Sequence, residues 1–362
     1  MKQIKKDTTE DKPPTVLMRN GIYPFYPYWI KETPPSPLKN YYSKNGHLKL
    51  IKSLNLEIVT DVDYAEKLWN EFSPHTTLFD TWEFRLAFLK GYNRAPHFML
   101  LKNDRENLAL LPLWYEADNK RYAWFGSTWQ EENTFFSKNH LLIPPLLSIA
   151  PTPLHLNAIS DNAIPTADGS ITFETDDPKF ILDLTTLSKA EDFLLSLKKK
   201  RRYNLRRDHR HIMSQNPEIV FDDFSYFDKM VELNKTRFAQ KGEDTDWEDP
   251  RRIETFRYII ERGKKAKSYH TRMIIVKIRG EVAAIDLIAL YKDCYYPIKC
   301  AYDIANFPGV GNFVNLFEIE DALKLQMKKM DFLEIDYGWK NKWFQSVPLF
   351  KYNKDYIEEE NN

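Results

Sequence analysis

Apolar positions along this chain follow two periods, one of strands and one of helices, and the two recur twice in the same order. In the second half, Met273 to Lys277 and Val282 to Leu290 are apolar and rich in β-branched residues, with Arg279-Gly280 between them. That pattern predicts two strands joined by a hairpin turn. A third strand is expected at Tyr295 to Tyr302. From Asn312 to Lys329, the positions Phe313, Leu316, Phe317, Ile319, Leu323 and Met327 fall at helical spacing with charges between them. A helix with one face on the sheet is expected there, followed by one more strand before residue 337. Helices at Ser225 to Gln240 and Pro250 to Arg262 precede the hairpin.

The first half runs in the same order: a strand at Leu54 to Val59, helices at Asp61 to Phe72 and Thr81 to Lys90, then strands at Phe98 to Lys102 and Leu108 to Tyr115. A shift of 175 positions lays Phe98-Met99-Leu100-Leu101-Lys102 on Met273-Ile274-Ile275-Val276-Lys277, Glu106 on Glu281 and Ala109 on Ala284. An internal duplication produces this pattern, as does a coincidence between two hairpins. Between the copies, Ile143 to Pro153 is proline-rich and Asp161 to Asp177 has the polar, turn-prone residues of a linker. The division that follows is an N-terminal arm (1–52), a first module (53–175), a second module (176–352) and an acidic tail (353–362). The arm holds Tyr23-Pro24-Phe25-Tyr26-Pro27-Tyr28-Trp29, too rich in proline for regular structure and too aromatic for a free linker, so it is expected to lie extended on the body.

Composition narrows the classes. With 362 residues, 43% of them apolar, the chain suffices for two real cores. Lys plus Arg and Asp plus Glu both total 52, so no global charge draws it to DNA or to a membrane, and any such attraction is local. Two cysteines, Cys294 and Cys300, make no disulfide framework. With no long apolar run and no secretory leader, a soluble cytoplasmic protein is expected.

Several separated blocks resemble one family. Phe79-Asp80-Thr81-Trp82-Glu83-Phe84, Leu110-Leu111-Pro112-Leu113 and the arginine-rich Lys198-Lys199-Lys200-Arg201-Arg202-Tyr203-Asn204-Leu205-Arg206-Arg207 come first. Ala301-Tyr302-Asp303 with Pro308-Gly309, then Phe332-Leu333-Glu334-Ile335-Asp336-Tyr337-Gly338 with Lys340, complete the set. In this order, over residues 54 to 350, they resemble the GNAT-type acyltransferases of the CelD/BcsL group, relatives of the Fem peptidyltransferases. The resemblance implies an α/β (α+β) fold of two tandem GNAT-like modules, each a mixed, mostly antiparallel sheet flanked by helices. It further implies an acyl-CoA such as acetyl-CoA as co-substrate, no metal, and an amine or hydroxyl acceptor on a sugar, an amino acid or a cell-envelope precursor. Because Fem relatives use aminoacyl-tRNA, that donor stands as the alternative, although the long coiled-coil insertion of those enzymes is missing. A catalytically inactive scaffold that binds a partner is the third reading. The chain departs from the family at Lys241 to Asp249, where five acids replace a serine-rich stretch.

Direct acyl transfer needs a base, aligned reactants and a donor to the carbonyl oxygen. Asp286 interrupts a strand that is apolar on both faces and is the leading base candidate, or else half of a structural ion pair. Leu111 is its counterpart under the 175-residue shift, which assigns chemistry to the second module. Tyr302 and Asp303, at a strand end, are candidates to protonate a leaving thiolate. In Phe307-Pro308-Gly309-Val310-Gly311-Asn312 the segment Gly309, Val310, Gly311 and Asn312 is a candidate pyrophosphate cradle, with Asn312 as helix N-cap, though such a loop serves equally as a plain turn. Asp336 and Lys340 fall where an acceptor would enter, or form a surface ion pair. Between Lys198 and Arg210 stand eight Lys or Arg and one acid, Asp208. Arg201, Arg202 and Arg206 there are candidates to bind a phosphate, an anionic acceptor or RNA, and a solvated face gives the same pattern. His209 and His211 make no metal site and no nucleophile motif occurs.

Overall fold

The computed structural model describes residues 23–24, 54–126, 129–163, 171–265, 268–336 and 338–355. The N-terminal arm (apart from Tyr23–Pro24) and the acidic tail beyond 355 lie outside the described residues. The chain folds as mixed α/β, with two sheets flanked by helices.

The first sheet begins with β1 (Tyr23–Pro24) and β2 (Asn55–Val59). After helices α1 (Val62–Phe72) and α2 (Trp82–Tyr92) come β3 (Pro96–Lys102), β4 (Asn107–Glu116), β5 (Arg121–Trp124) and β6 (Phe136–Ser137). Helix α3 (Ile143–Ile149) leads to β7 (Leu154–Ser160) and β8 (Glu174–Thr175), and the sheet order is β1-β2-β3-β4-β5-β7-β16-β8, where β16 is Leu349–Lys354. The last strand of the chain thus returns to the first sheet, pairing Leu349 with Ser160, so residues assigned by sequence to the second module complete the first. The proline-rich stretch from Ile143 opens with a helix. Prolines in the first turn give up no hydrogen bond, and the helix they start buries Ile143, Leu146 and Leu147.

The second sheet is ordered β10-β11-β12-β13-β14-β9-β15. Its members are β9 (Lys179–Asp183), β10 (Glu218–Phe221), β11 (His270–Ile278), β12 (Glu281–Tyr291), β13 (Cys294–Tyr302), β14 (Lys329–Asp331) and β15 (Gln345–Val347). Around it lie α4 (Ala190–Ser196), α5 (Lys199–Met213), α6 (Phe227–Ala239), α7 (Pro250–Lys265), α8 (Val310–Lys324) and the short α9 (Lys340–Trp343).

Strand pairing carries the duplication beyond sequence likeness. Met99 faces Leu111 in the first hairpin and Ile274 faces Asp286 in the second. Both ladders also slip at the same place, between Leu101 and Lys102 and between Val276 and Lys277, so the 175-residue shift carries register and irregularity together. The corresponding helices α2 and α7 cross at the join of the modules. A Cβ on Gly91 would come 2.0 Å from Thr255 Oγ1, so only glycine lets them approach this closely. One core runs through the join, with Trp69, Phe84 and Phe88 of the first module in the same cluster as Trp247, Phe256 and Tyr296 of the second. Each fully buried side chain of this size contributes about 1.5–3 kcal/mol, which binds the modules into one unit.

Two boundaries differ from the sequence reading. Helix α8 starts at Val310, not Asn312, because its N-cap is Gly309 in the left-handed region (φ 89°), which leaves Asn312 inside the first turn. It ends at Lys324, not Lys329: Gln326 turns left-handed (φ 58°) and the Met327 amide reaches back to the Ala322 carbonyl, closing the helix. The strand that follows stops at Asp331, since Leu333 and Ile335 both adopt positive φ and cannot continue a ladder. No helix among the described residues is long and apolar enough to cross a membrane.

Candidate active site

The second sheet is closed at one end and open at the other. β13 and β14 run parallel, but they pair only at Cys294 with Lys329 and Tyr295 with Met330. β13 then continues to Tyr302, while the chain after Asp331 is held toward β9 by Phe332 N–H on the Phe180 carbonyl and Phe180 N–H on the Leu333 carbonyl. A gap opens between them. In step with the last pairs, Lys299 would stand level with Glu334 across it.

The lining of this gap is charged, and part of it comes from the first module. Glu334 N–H donates to Glu131 Oε2 at 2.6 Å, and Lys340 Nζ donates to the Phe332 and Glu334 carbonyls, both at 2.5 Å. Burial pushes the Glu131 carboxyl up to about 7 against the opposing pull of Lys340, the Glu334 amide and Lys299. Glu334 is raised to about 10, by burial first and then by Glu131, Asp176 and Asp177, and its Oε1 is buried without a partner. Burial lowers Lys340 and Lys299, although Asp246 stands 2.5 Å from the Lys299 ammonium. Beside them Lys179 bridges Glu132 and Asp331, and these acids outweigh burial and keep it charged.

The loop that delivers Glu131 is rigidly tied. Arg85, 3% exposed, donates to the Phe79 and Phe125 carbonyls and to Asn133 Oδ1 at 2.6–2.7 Å, with its guanidinium 5.1 Å from the Trp69 ring centroid. Asn133 Nδ2 donates in turn to the Gln130 and Asn157 carbonyls. Such a brace fixes the backbone on both sides of Glu131.

A second group of acids lies under α8. Asp286, 1% exposed, accepts the Tyr302 hydroxyl at 2.7 Å on one oxygen, and its other oxygen faces Glu318. Glu318 is fully buried, and neither of its oxygens has an N–H or O–H partner. A proton held between the two carboxyls would give Asp286 Oδ1 a partner and leave one Glu318 oxygen without one. Burial raises Asp286 to about 7 and lifts Glu318 well above the carboxylate range, with Asp286 adding to the latter. Burial and Asp286 likewise keep Tyr302 protonated. The tyrosine ring underlies the glycine loop, and a Cβ on Gly311 would come 3.1 Å from its Cδ2.

At that loop the amides of Gly311 and Asn312 find no acceptor among the described residues, leaving donors at the positive end of α8. The space beside the glycines is filled by protein, however. Asp208 of α5 would meet a Cβ on Gly309 at 2.9 Å, and its Oδ2 accepts from Asn312 Nδ2 at 2.7 Å while Arg207 holds Oδ1.

Other residues marked by the sequence have local roles. Asp303 closes the turn before the loop, accepting from Asn306 N and Nδ2. Asp336 accepts from the amides of Gly338 and Lys340, so it caps α9 and forms no ion pair with the Lys340 ammonium. Arg201 reaches the Lys342 carbonyl, whereas Arg202 and Arg206 line a cleft between α4, α5 and α8 on the outer side of α8, away from Glu318. Sequence reasoning missed Glu131, Glu334, Lys299, Glu318 and Asp208. Glu318 carried the same signal as Asp286, an acid set among Phe313, Leu316, Phe317 and Ile319. Glu131 carried none, because its burial comes from contacts between modules.

Residues 199–341 match the family model of the acetyltransferase (GNAT) domain. No curated protein sequence matches the chain. Among solved structures it is similar to FemX (TM-score 0.51, 10% identity, covering 83% of this chain and 98% of that one). It is also similar to L-PGS from Bacillus licheniformis (TM-score 0.50, 11% identity, 83% and 94% covered). A tandem GNAT protein from the clavulanic acid biosynthesis pathway matches at TM-score 0.51 with 10% identity, 83% and 98% covered. At these identities the likeness is one of fold: two GNAT modules in tandem. The stretch that matches the family model falls on the second module, which also holds the parted strands and the glycine loop.

Proposed function

We propose that the protein moves an acyl group directly from an acyl-CoA-type thioester to an amine of a sugar, amino acid or cell-envelope precursor, as members of the CelD/BcsL group would. The observation that carries this reading is the parting of β13 and β14, which pair at two positions only, with the half-buried Glu131, Glu334 and Lys299 and the buried Lys340 beyond those pairs. A thioester laid along β13 would present its carbonyl there, with its phosphates toward the Gly311 and Asn312 amides.

The chemistry asks little more of the protein. The acceptor ammonium gives a proton to Glu131, the free amine attacks the thioester carbonyl, the C–S bond breaks, and the second proton of the attacking nitrogen passes to the departing thiolate, leaving an amide and a free thiol. Glu131 suits the first step because it is only half-buried, whereas Asp286 is fully buried. In this reading Asp286 and Glu318 hold Tyr302 against the glycine loop on the donor side. A hydroxyl acceptor would need a stronger base than a carboxylate near neutrality, which favours the amine.

Titration calorimetry with acetyl-CoA, followed by a screen of amines with labelled acyl-CoA, tests the proposal. Micromolar binding and label transfer are expected. No binding at millimolar acyl-CoA would end the thioester reading and return aminoacyl-tRNA as the donor to be tried.

A further inference from the structure

The basic helix α5 is absorbed by neither the gap nor the glycine loop. Of its seven Lys and Arg residues and the adjoining Lys198, only Arg206 and Arg207 have a carboxylate within 4.0 Å among the described residues, namely Glu191 and Asp208. Lys198, Lys199, Lys200, Arg201, Arg202 and Arg210 keep uncompensated charge among the described residues, even where a backbone carbonyl accepts from them.

The same segment exposes apolar surface. Of the six exposed large apolar side chains among the described residues, four lie on this helix or on the elements flanking it: Tyr203 at 60%, Leu195 at 55%, Met213 at 49% and Phe221 at 41%. Lys199, Arg202, Tyr203, Arg206 and Arg210 recur at three and four residues, so they share one face of α5. Across from that face α8 presents Leu316 and Phe317, and the two helices, with α4 at one end, enclose an open cleft of about 830 Å³. Phe313, Phe317 and Phe221 run on from it as a row of rings 5.9–6.3 Å apart. An apolar floor thus carries a cationic rim.

We propose that this face docks on an anionic phospholipid surface, with a lipid phosphate held by Arg202 and Arg210 and with Leu195 and Tyr203 seated at the boundary of headgroups and chains. Guanidinium groups bind phosphate in two-point fashion, and aliphatic and aromatic side chains beside them gain by leaving water for that boundary. The whole chain is neutral, with 52 charges of each sign, so a patch of this kind also orients the molecule on the surface. RNA would satisfy the cations but not the exposed Leu195 and Met213, which offer no flat ring for a base. The inference is independent of acyl transfer, because its readout is partition and not turnover.

The full chain is floated with vesicles of phosphatidylglycerol and phosphatidylcholine, and with vesicles of phosphatidylcholine alone. Binding to the anionic vesicles is expected to be at least about tenfold stronger and to fall as salt is raised. The pair Leu195→Ser and Tyr203→Ser should cut partition roughly fivefold at unchanged salt dependence, and Arg202→Gln with Arg210→Gln should flatten the salt dependence. Leu195, Tyr203 and Arg210 are exposed and Arg202 is partly so, and an unchanged thermal midpoint confirms the fold of each variant. Equal affinity for both vesicle types, indifference of binding to either pair, or capture of an RNA oligonucleotide in place of the vesicles would overturn the proposal.

Discussion

Asp286 and Leu111 hold the same place in two copies of one hairpin. Each is fully buried, and each faces the corresponding residue of the preceding strand, Ile274 and Met99. In the first module the position packs as hydrocarbon. In the second it bears a carboxyl that needs partners, and Tyr302 and Glu318 supply them. The difference between the modules is therefore one of buried polarity on a shared frame.

Stability should report that shared proton. Burial raises both Asp286 and Glu318, so the folded chain keeps a proton that the unfolded chain gives up near pH 4. The unfolded state then binds fewer protons, and stability is highest below that pH and falls as pH rises toward 7. Glu318→Gln removes one titrating group. Its thermal midpoint should exceed that of the wild type by a few degrees at pH 8 and match it near pH 4; an equal difference at both pH values would refute proton sharing.

Turnover should depend on Glu131 as a base. Its carboxyl, raised to about 7 by burial, faces Lys340, Lys299, Asp331 and Glu334. A base works deprotonated, so the rate should climb through pH 7 and level above it. Glu131→Gln should lower kcat about 100-fold and abolish that limb while leaving the donor affinity alone. A pH–rate profile of the variant that keeps the limb would move the base elsewhere.

Asp208 gives a test of the glycine loop that does not disturb the loop itself. Its carboxylate lies against Gly309 and Asn312, where an anionic ligand would be repelled. Asp208→Asn should tighten acyl-CoA binding about three- to tenfold by calorimetry if phosphates sit at the start of α8. Unchanged or weaker binding would place the phosphates elsewhere.

Gly91 measures how far the modules depend on each other. A side chain there meets Thr255 Oγ1 at 2.0 Å and the Arg251 carbonyl at 2.9 Å, and backbone cannot give way cheaply. Gly91→Val should cost about 2–3 kcal/mol in denaturant unfolding, as one transition if the core is truly common. Two separate transitions would show independent modules.

Much of the frame was legible because it is local. Continuous apolar, β-branched runs gave β11 and β12, and Asp61 caps α1 as its residue type suggests, accepting from the Tyr64 amide. The 175-residue repeat was visible in seven aligned positions. The ends of α8 were misplaced because glycine at φ 89° and glutamine at φ 58° set them, and apolar spacing does not register backbone handedness. The site was half legible. Asp286 and Tyr302 stood out as polar groups in apolar strands, while Asp303 and Asp336 drew notice for their position and prove to close turns.

By itself the sequence determined two modules, their order of strands and helices, and the acid and glycines that separate the second from the first, since each follows from period, residue type and turn chemistry within a few neighbours. Only the tertiary structure decided that β16 crosses back to the first sheet, that Asp208 fills the glycine loop, and that Glu131 joins Glu334 and Lys340 at the parted strands. Those relations join residues up to about 200 positions apart. Their energies come from burial and proximity, which no local pattern encodes.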